Sequence, residues 1–329
     1  MLKPLLWGNA LLLAVLIVLL WIQPLSTRAF RNTELVFLAP GRPEHQFSQR
    51  VHQGALDAAA DLGCGMKVLW NGWNPDETVL EFKRAIEMQP DAICIPGFPR
   101  TPEFDAFVGE AVRSGIKVTS YNVLPPEFLD EYGAHGFGYA GQNNFEAGRR
   151  LVRALKAQLD LQPGDRAVIF GMPSAPDRGD RARGCAAEFQ SLGITADVVD
   201  TFREADDEPL APSTIIAAYL ADHPDVKVMI WESYPAHVAA QVLRELGYGP
   251  GEIPIAGWDL NPEILDEVES GYVVLTYDQQ PYLQGYLAVL QSCLSHERGF
   301  AVFVADTSGP FVDKSSVGAL RGLVDRRYR

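Results

Sequence analysis

Between Ile255 and Gln280 the sequence reads IAGWDLNPEILDEVESGYVVLTYDQQ. One apolar run ends at Trp258-Asp259 and the next at Asp278-Gln279-Gln280, just before Pro281. An indole beside a carboxylate, with a carboxamide cluster close behind, suits a polyhydroxylated molecule. The aromatic face stacks on apolar C–H patches, while the planar polar groups take the hydroxyls. Other apolar runs end the same way. The first is followed by His45 and Phe47, the second by Trp73, the fourth by Asn122, and a later one by Trp231-Glu232. Arg183 adds a guanidinium fork at the start of a helical segment. The candidate ligand-binding residues are therefore His45, Phe47, Trp73, Asn122, Arg183, Glu232, Asp259 and Gln279. A hydroxyl buried without a partner costs about 1–3 kcal/mol, so such a set selects by hydroxyl pattern.

The segments between these residues position them. ELVFLAP is a short continuous apolar run, the mark of a strand buried on both faces. Residues 48–62 carry Val51, Ala55, Ala58, Ala59 and Leu62 on one helical stripe, and Gly63 is placed to stop that helix. MKVLW, DAICIP and IKVTSY follow as strands, with helices predicted over 76–88 and 102–114. A second series starts near Gly141: helix 143–159, strand RAVIFG, helix 177–192, strand ADVVDTF, helix 213–223, strand VKVMIW and helix 236–246. IPIAGW and YVVLTY close it, and helix 282–296, a strand FAVFV and a helical tail come last. This alternation predicts an α/β fold of parallel sheets with right-handed crossovers and helices on both faces. In such sheets ligands lie outside the carboxyl ends of the strands. Gly54-to-Gly63 and Gly184-to-Gly193 repeat the same small-residue spacing before a strand, which points to two similar halves.

The chain has 329 residues and a formal net charge of −14. That length suits two domains, and the charge excludes nucleic-acid binding by phosphate neutralisation. No phosphate loop or nucleophile elbow occurs, and no histidine spacing for a metal, so neither an enzyme, a cofactor nor a bound metal is expected. Lys3, an apolar run over 5–22 and a small-residue end at Thr27 and Ala29 describe an export signal over residues 1–33. The run is also nearly long enough to remain as a membrane anchor. The widely spaced Cys64, Cys94, Cys185 and Cys293 read as separate buried thiols.

From Glu34 onward the ordered set PDAICIPG, GIKVTSYN, YAGQNNFEAGRRL, DRARGCAAEF, IAGWD and DQQP resembles the type I, ribose-binding-like periplasmic sugar-binding proteins of ABC importers. The resemblance implies two doubly wound parallel-sheet lobes joined by a three-strand hinge. It implies crossings near 139–142, 279–281 and 304–307, with an N-terminal lobe of 34–140 plus 281–304 and a C-terminal lobe of 141–280 plus 305–329. By the same resemblance Phe47 supplies the stacking aromatic, His45 a polar neighbour, Arg183 the arginine before the helix glycine, Asp259 the aspartate and Gln279 the glutamine of the ligand site. Asn122 and Glu232 depart from it, standing where the family has an acidic residue and an asparagine. The implied function is capture of a monosaccharide-like ligand by a periplasmic monomer that delivers it to an inner-membrane ABC permease. The alternative is a membrane-anchored or periplasmic sensor or co-receptor for a sugar-like signal of the furanosyl autoinducer class.

Overall fold

The computed structural model describes residues 30, 32–97, 101–124, 126–173, 179–201, 211–232 and 235–329. The expected export segment lies outside them, apart from Phe30, Asn32 and Thr33. The first series comprises β1 (Glu34–Ala39), α1 (Gln46–Leu62), β2 (Gly65–Trp70), α2 (Pro75–Glu87), β3 (Ala92–Ile95), α3 (Pro102–Arg113), β4 (Lys117–Tyr121), α4 (Pro126–Tyr132) and β5 (Phe137–Gly141). The second comprises α5 (Asn144–Gln158), β6 (Arg166–Gly171), α6 (Asp180–Ser191), β7 (Thr195–Asp200), α7 (Pro212–Asp222), β8 (Val226–Trp231), α8 (Ala236–Glu245), β9 (Ile255–Trp258), α9 (Pro262–Ser270) and β10 (Val273–Tyr277). Helix α10 (Pro281–Arg298), β11 (Val304–Asp306), β12 (Phe311–Val312) and α11 (Val317–Asp325) follow.

Two six-stranded sheets result, ordered β11-β5-β4-β3-β1-β2 and β12-β10-β9-β8-β6-β7. Both are doubly wound, with the order reversing between β1 and β3 and between β6 and β8, where a crevice opens beyond the carboxyl ends. The pairings are parallel apart from the short antiparallel contact of β12 with β10. The chain passes between the sheets after β5, after β10 and between β11 and β12. Each sheet is covered by apolar clusters on both faces, which is why its strands read as unbroken hydrophobic runs.

Local chemistry fixes the helix starts. Asn74, Thr101, Asn143 and Asn261 each accept a main-chain N–H three residues on, satisfying a donor that the first turn leaves orphaned. Each such cap is worth about 1 kcal/mol. The two glycine echoes have a packing cause. A Cβ on Gly54 would strike the Tyr282 carbonyl, and one on Gly184 the Phe145 carbonyl. Helix α1 thus lies tight on α10, and α6 tight on α5.

The structure departs from expectation in several places, among them α4 and β12, which were not expected. FAVFV is not a strand as a whole: the pairing begins at Val304, and the Phe303 N–H is held by the Gln291 side chain at 3.0 Å. Strand β5, FGYAG, was not expected; its two glycines dilute the apolar pattern. Cys64 and Cys293 are not separate thiols but form a disulfide between the end of α1 and α10, whereas Cys94 and Cys185 are free and buried.

Candidate ligand cleft

Gln279, just beyond β10, is 2 % exposed and sits at the centre of a hydrogen-bond hub. Its Oε1 accepts from Arg181 Nη2 at 2.6 Å and from Asn122 Nδ2 at 3.2 Å. Its Nε2 donates to Asp259 Oδ1 at 2.6 Å. Arg181 Nε also donates to Asn144 Oδ1 at 2.9 Å, and Asn144 Nδ2 reaches the Asn122 carbonyl at 3.5 Å. Gln284 on α10 donates to the Gln279 carbonyl at 3.0 Å. The hub joins the ends of β4, β9 and β10 to the starts of α5 and α6, so it spans both sheets.

Of the expected residues, Asn122, Asp259 and Gln279 are therefore in one network. His45, Phe47 and Trp73 form a neighbouring group at the ends of β1 and β2. The Phe47 and Trp73 rings lie 5.9 Å apart, and the Trp73 indole and His45 imidazole both crowd Gly41. The start of α1 meets the start of α9 across the crevice, where Gln46 Nε2 donates to Glu263 Oε2 at 3.4 Å. Glu232 is half-buried and accepts the Met172 N–H at 3.3 Å.

Arg183 is not part of this set. Its guanidinium is turned outward to Asp180, at 2.7 Å, and to the Pro173 carbonyl. The cleft guanidinium is Arg181, 8 % exposed and stacked over Trp258 at 5.4 Å. The cause is helical phase: Arg181, Cys185 and Glu188 share the buried side of α6, and Arg183 lies opposite. Trp231, which precedes Glu232 at the end of β8, is fully buried against Phe170 in the core. Asn144, Gln284 and Arg50 were not anticipated either. Arg50 lies one turn into α1 among its buried residues.

The electrostatics follow from burial. Removal from water raises the Asp259 carboxyl above the usual carboxylate range, and the Gln279 hydrogen bond and the charges of Arg181 and Arg50 oppose that rise. Burial likewise raises Asp278 and lowers the Arg50 guanidinium. Trp73, Asn122 and Asp259 all have left-handed backbone, with φ of 61°, 66° and 70°. Such conformations concentrate at sites where a side chain must be aimed. At the same sheet edges the Gln142 carboxamide and Trp258 Nε1 are buried with no hydrogen-bond partner among the described residues.

Residues 36–292 match the family model described as the periplasmic binding protein domain. A xylose/arabinose-binding protein of Sulfolobus acidocaldarius is 29% identical over 280 residues, 80% of this chain and 67% of that protein. Among solved structures, a carbohydrate transporter of Acidothermus cellulolyticus in complex with myo-inositol is 25% identical with a TM-score of 0.71, covering 90% of this chain and 99% of its own. An ABC transporter solute-binding protein of Burkholderia graminis bound to D-arabinose shares the fold with a TM-score of 0.74 at 23% identity, covering 87% and 97%.

Proposed function

Because the chain belongs to the periplasmic binding protein family, we propose that it captures a monosaccharide-like polyol between its two sheets. The lobes are residues 34–140 plus 281–304 and 141–280 plus 305–329, and they close about the three crossings. The observation that carries this reading is the Gln279 hub, which gathers a guanidinium, a carboxylate and two carboxamides where both sheets end. A hydroxylated ligand exchanges these mutual bonds for its own, and Phe47 and Trp73 supply the apolar wall. The orphaned Gln142 and Trp258 groups add unused hydrogen-bonding capacity at the same edges. The relatives bind pentoses and inositol, which supports a ligand of that size. The protein works in the periplasm, as a monomer, and passes its ligand to an inner-membrane ABC permease without chemical change.

The test is a thermal shift across D-xylose, L-arabinose, D-arabinose, D-ribose, D-galactose and myo-inositol, followed by calorimetry. A bound sugar raises the melting temperature by mass action. Affinity should be lost in Asp259→Ala and Arg181→Ala and kept in Arg183→Ala. A panel without any shift, or affinity intact in both cleft variants, rejects the assignment.

A further inference from the structure

The four residues after α11 return to the crevice. Arg327 N–H and Tyr328 N–H close the helix on the Val324 and Leu323 carbonyls at 2.9 and 3.0 Å. Arg327 then takes a left-handed turn, φ 64°, and the chain doubles back. Tyr328 sets its ring edge-on to Tyr282 at 5.3 Å, and the Tyr282 hydroxyl donates to Asp57 on α1 at 2.8 Å. Arg329 Nη1 donates to Asp278 Oδ2 at 2.9 Å and also to Gln280. The Arg329 main-chain oxygen accepts Arg50 Nε.

This segment grows from α11, which packs on α9 of the second sheet, yet it touches α1 and α10, which cover the first. It lies between two buried charges of opposite sign, Arg50 at 6 % exposure and Asp278 at 0 %. Neither is bonded to the other; Arg329 joins them. Buried charges are tolerated only when partnered. Arg50 and Tyr282 lie on helices that cover the first sheet and the segment extends from a helix that packs on the second, so the contact bridges the two.

We propose that Arg326–Arg329 is a strap that fastens the closed form, holding Arg50 and Tyr282 of one lobe to the other and slowing ligand release. The inference rests on the cleft reading for its kinetic part only. Closure without ligand is a property of the free protein, since an added contact in one state shifts the population toward it.

The test uses the full chain, its Arg50→Met variant and its Tyr328→Ala/Arg329→Ala variant. Small-angle scattering of the free proteins should give a larger radius of gyration for both variants than for the parent. Stopped-flow tryptophan fluorescence of the Tyr328→Ala/Arg329→Ala variant with D-xylose and L-arabinose should show dissociation faster by about tenfold, the worth of one charged hydrogen bond, with association changed less than about threefold. Combining the substitutions should add little, because Arg50 on the Arg329 main-chain oxygen and the Arg329 side chain on Asp278 are two links of one bridge. The Tyr328→Ala/Arg329→Ala variant leaves Arg50 and the cleft side chains in place, and its melting curve reports whether it is folded. Unchanged scattering in folded variants overturns the strap, as does unchanged dissociation of a sugar that the parent binds. If the parent binds neither sugar, the cleft reading for those ligands fails and scattering alone decides the strap.

Discussion

Arg181 and Arg183 are two residues apart, and the structure assigns them opposite fates. Replacing Arg181 by Met keeps most of the aliphatic stem over Trp258 and removes the charge and donors. Two hydrogen bonds vanish, to Gln279 at 2.6 Å and to Asn144 at 2.9 Å. Asn144 Oδ1 loses its Arg181 donor, Gln279 Oε1 keeps only the longer bonds from Asn122 and Gln284, and Asp259 loses a neighbouring positive charge. Hydrogen bonds to a charged group are worth about 1.5–3 kcal/mol each, and breaking a buried polar set costs about 3–5 kcal/mol. The expected loss of stability is about 3 kcal/mol, or roughly 5 °C in melting temperature for a chain of this length. Arg183→Met removes an exposed contact to Asp180, three residues away on the same helix, and should cost below about 0.5 kcal/mol. Differential scanning calorimetry of the free proteins decides between them, and titration with the bound sugar repeats the comparison for affinity. An Arg183 variant that loses as much as the Arg181 variant in either assay would refute the placement of the two side chains.

Three further outcomes are expected. Cys64→Ser should lower stability by up to about 5 kcal/mol on the chain-entropy model, since the disulfide closes a separation of 229 residues; melting with and without reductant checks this, and reductant should shift the parent alone. Asp259 binds its proton more tightly folded than unfolded, so its favourable contribution is complete below the unfolded value of about 3.9 and is lost as pH rises through the higher folded value. The free parent should therefore gain stability relative to Asp259→Asn as pH falls from 7.5 to about 4, and a difference of the opposite sign in paired melts would contradict the burial. Gly184→Ala should cost at least about 1–3 kcal/mol because its methyl group meets the Phe145 carbonyl across α5 and α6, whereas Gly318→Ala, with open space around it, should be near neutral on urea titration.

Much of the architecture was legible because the strands are short apolar runs and the helices carry caps and terminal glycines. Gly63 ends α1 in left-handed geometry, and Asn143 opens α5 as a side-chain cap. Gln279 and Asp259 were legible for the same reason: an abrupt change from apolar to polar marks the end of a buried strand. What escaped had no local signature. Arg181 and Arg183 differ only in helical phase, which the buried run Ala182, Cys185 and Phe189 would have disclosed. Trp231 ends its strand as Trp258 does, and only packing against Phe170 separates a core indole from a cleft one. The Cys64–Cys293 bond joins positions far apart in the chain, so spacing carries no trace of it. Arg50 carries no local mark of its burial, which comes in part from Arg329, a residue after α11 whose main-chain oxygen accepts Arg50 Nε.

The left-handed backbone at Trp73, Asn122 and Asp259 limits which side chains these three places accept. A side chain on such a backbone is held at a cost of roughly 1–2 kcal/mol, least for Asn and Asp and greatest for branched residues. Libraries that explore Asn, Asp and Gly at these three places should stay folded. Those that admit valine, isoleucine or threonine should lose more stability per member, so substitution at these places is channelled toward exchanging one amide or acid for another.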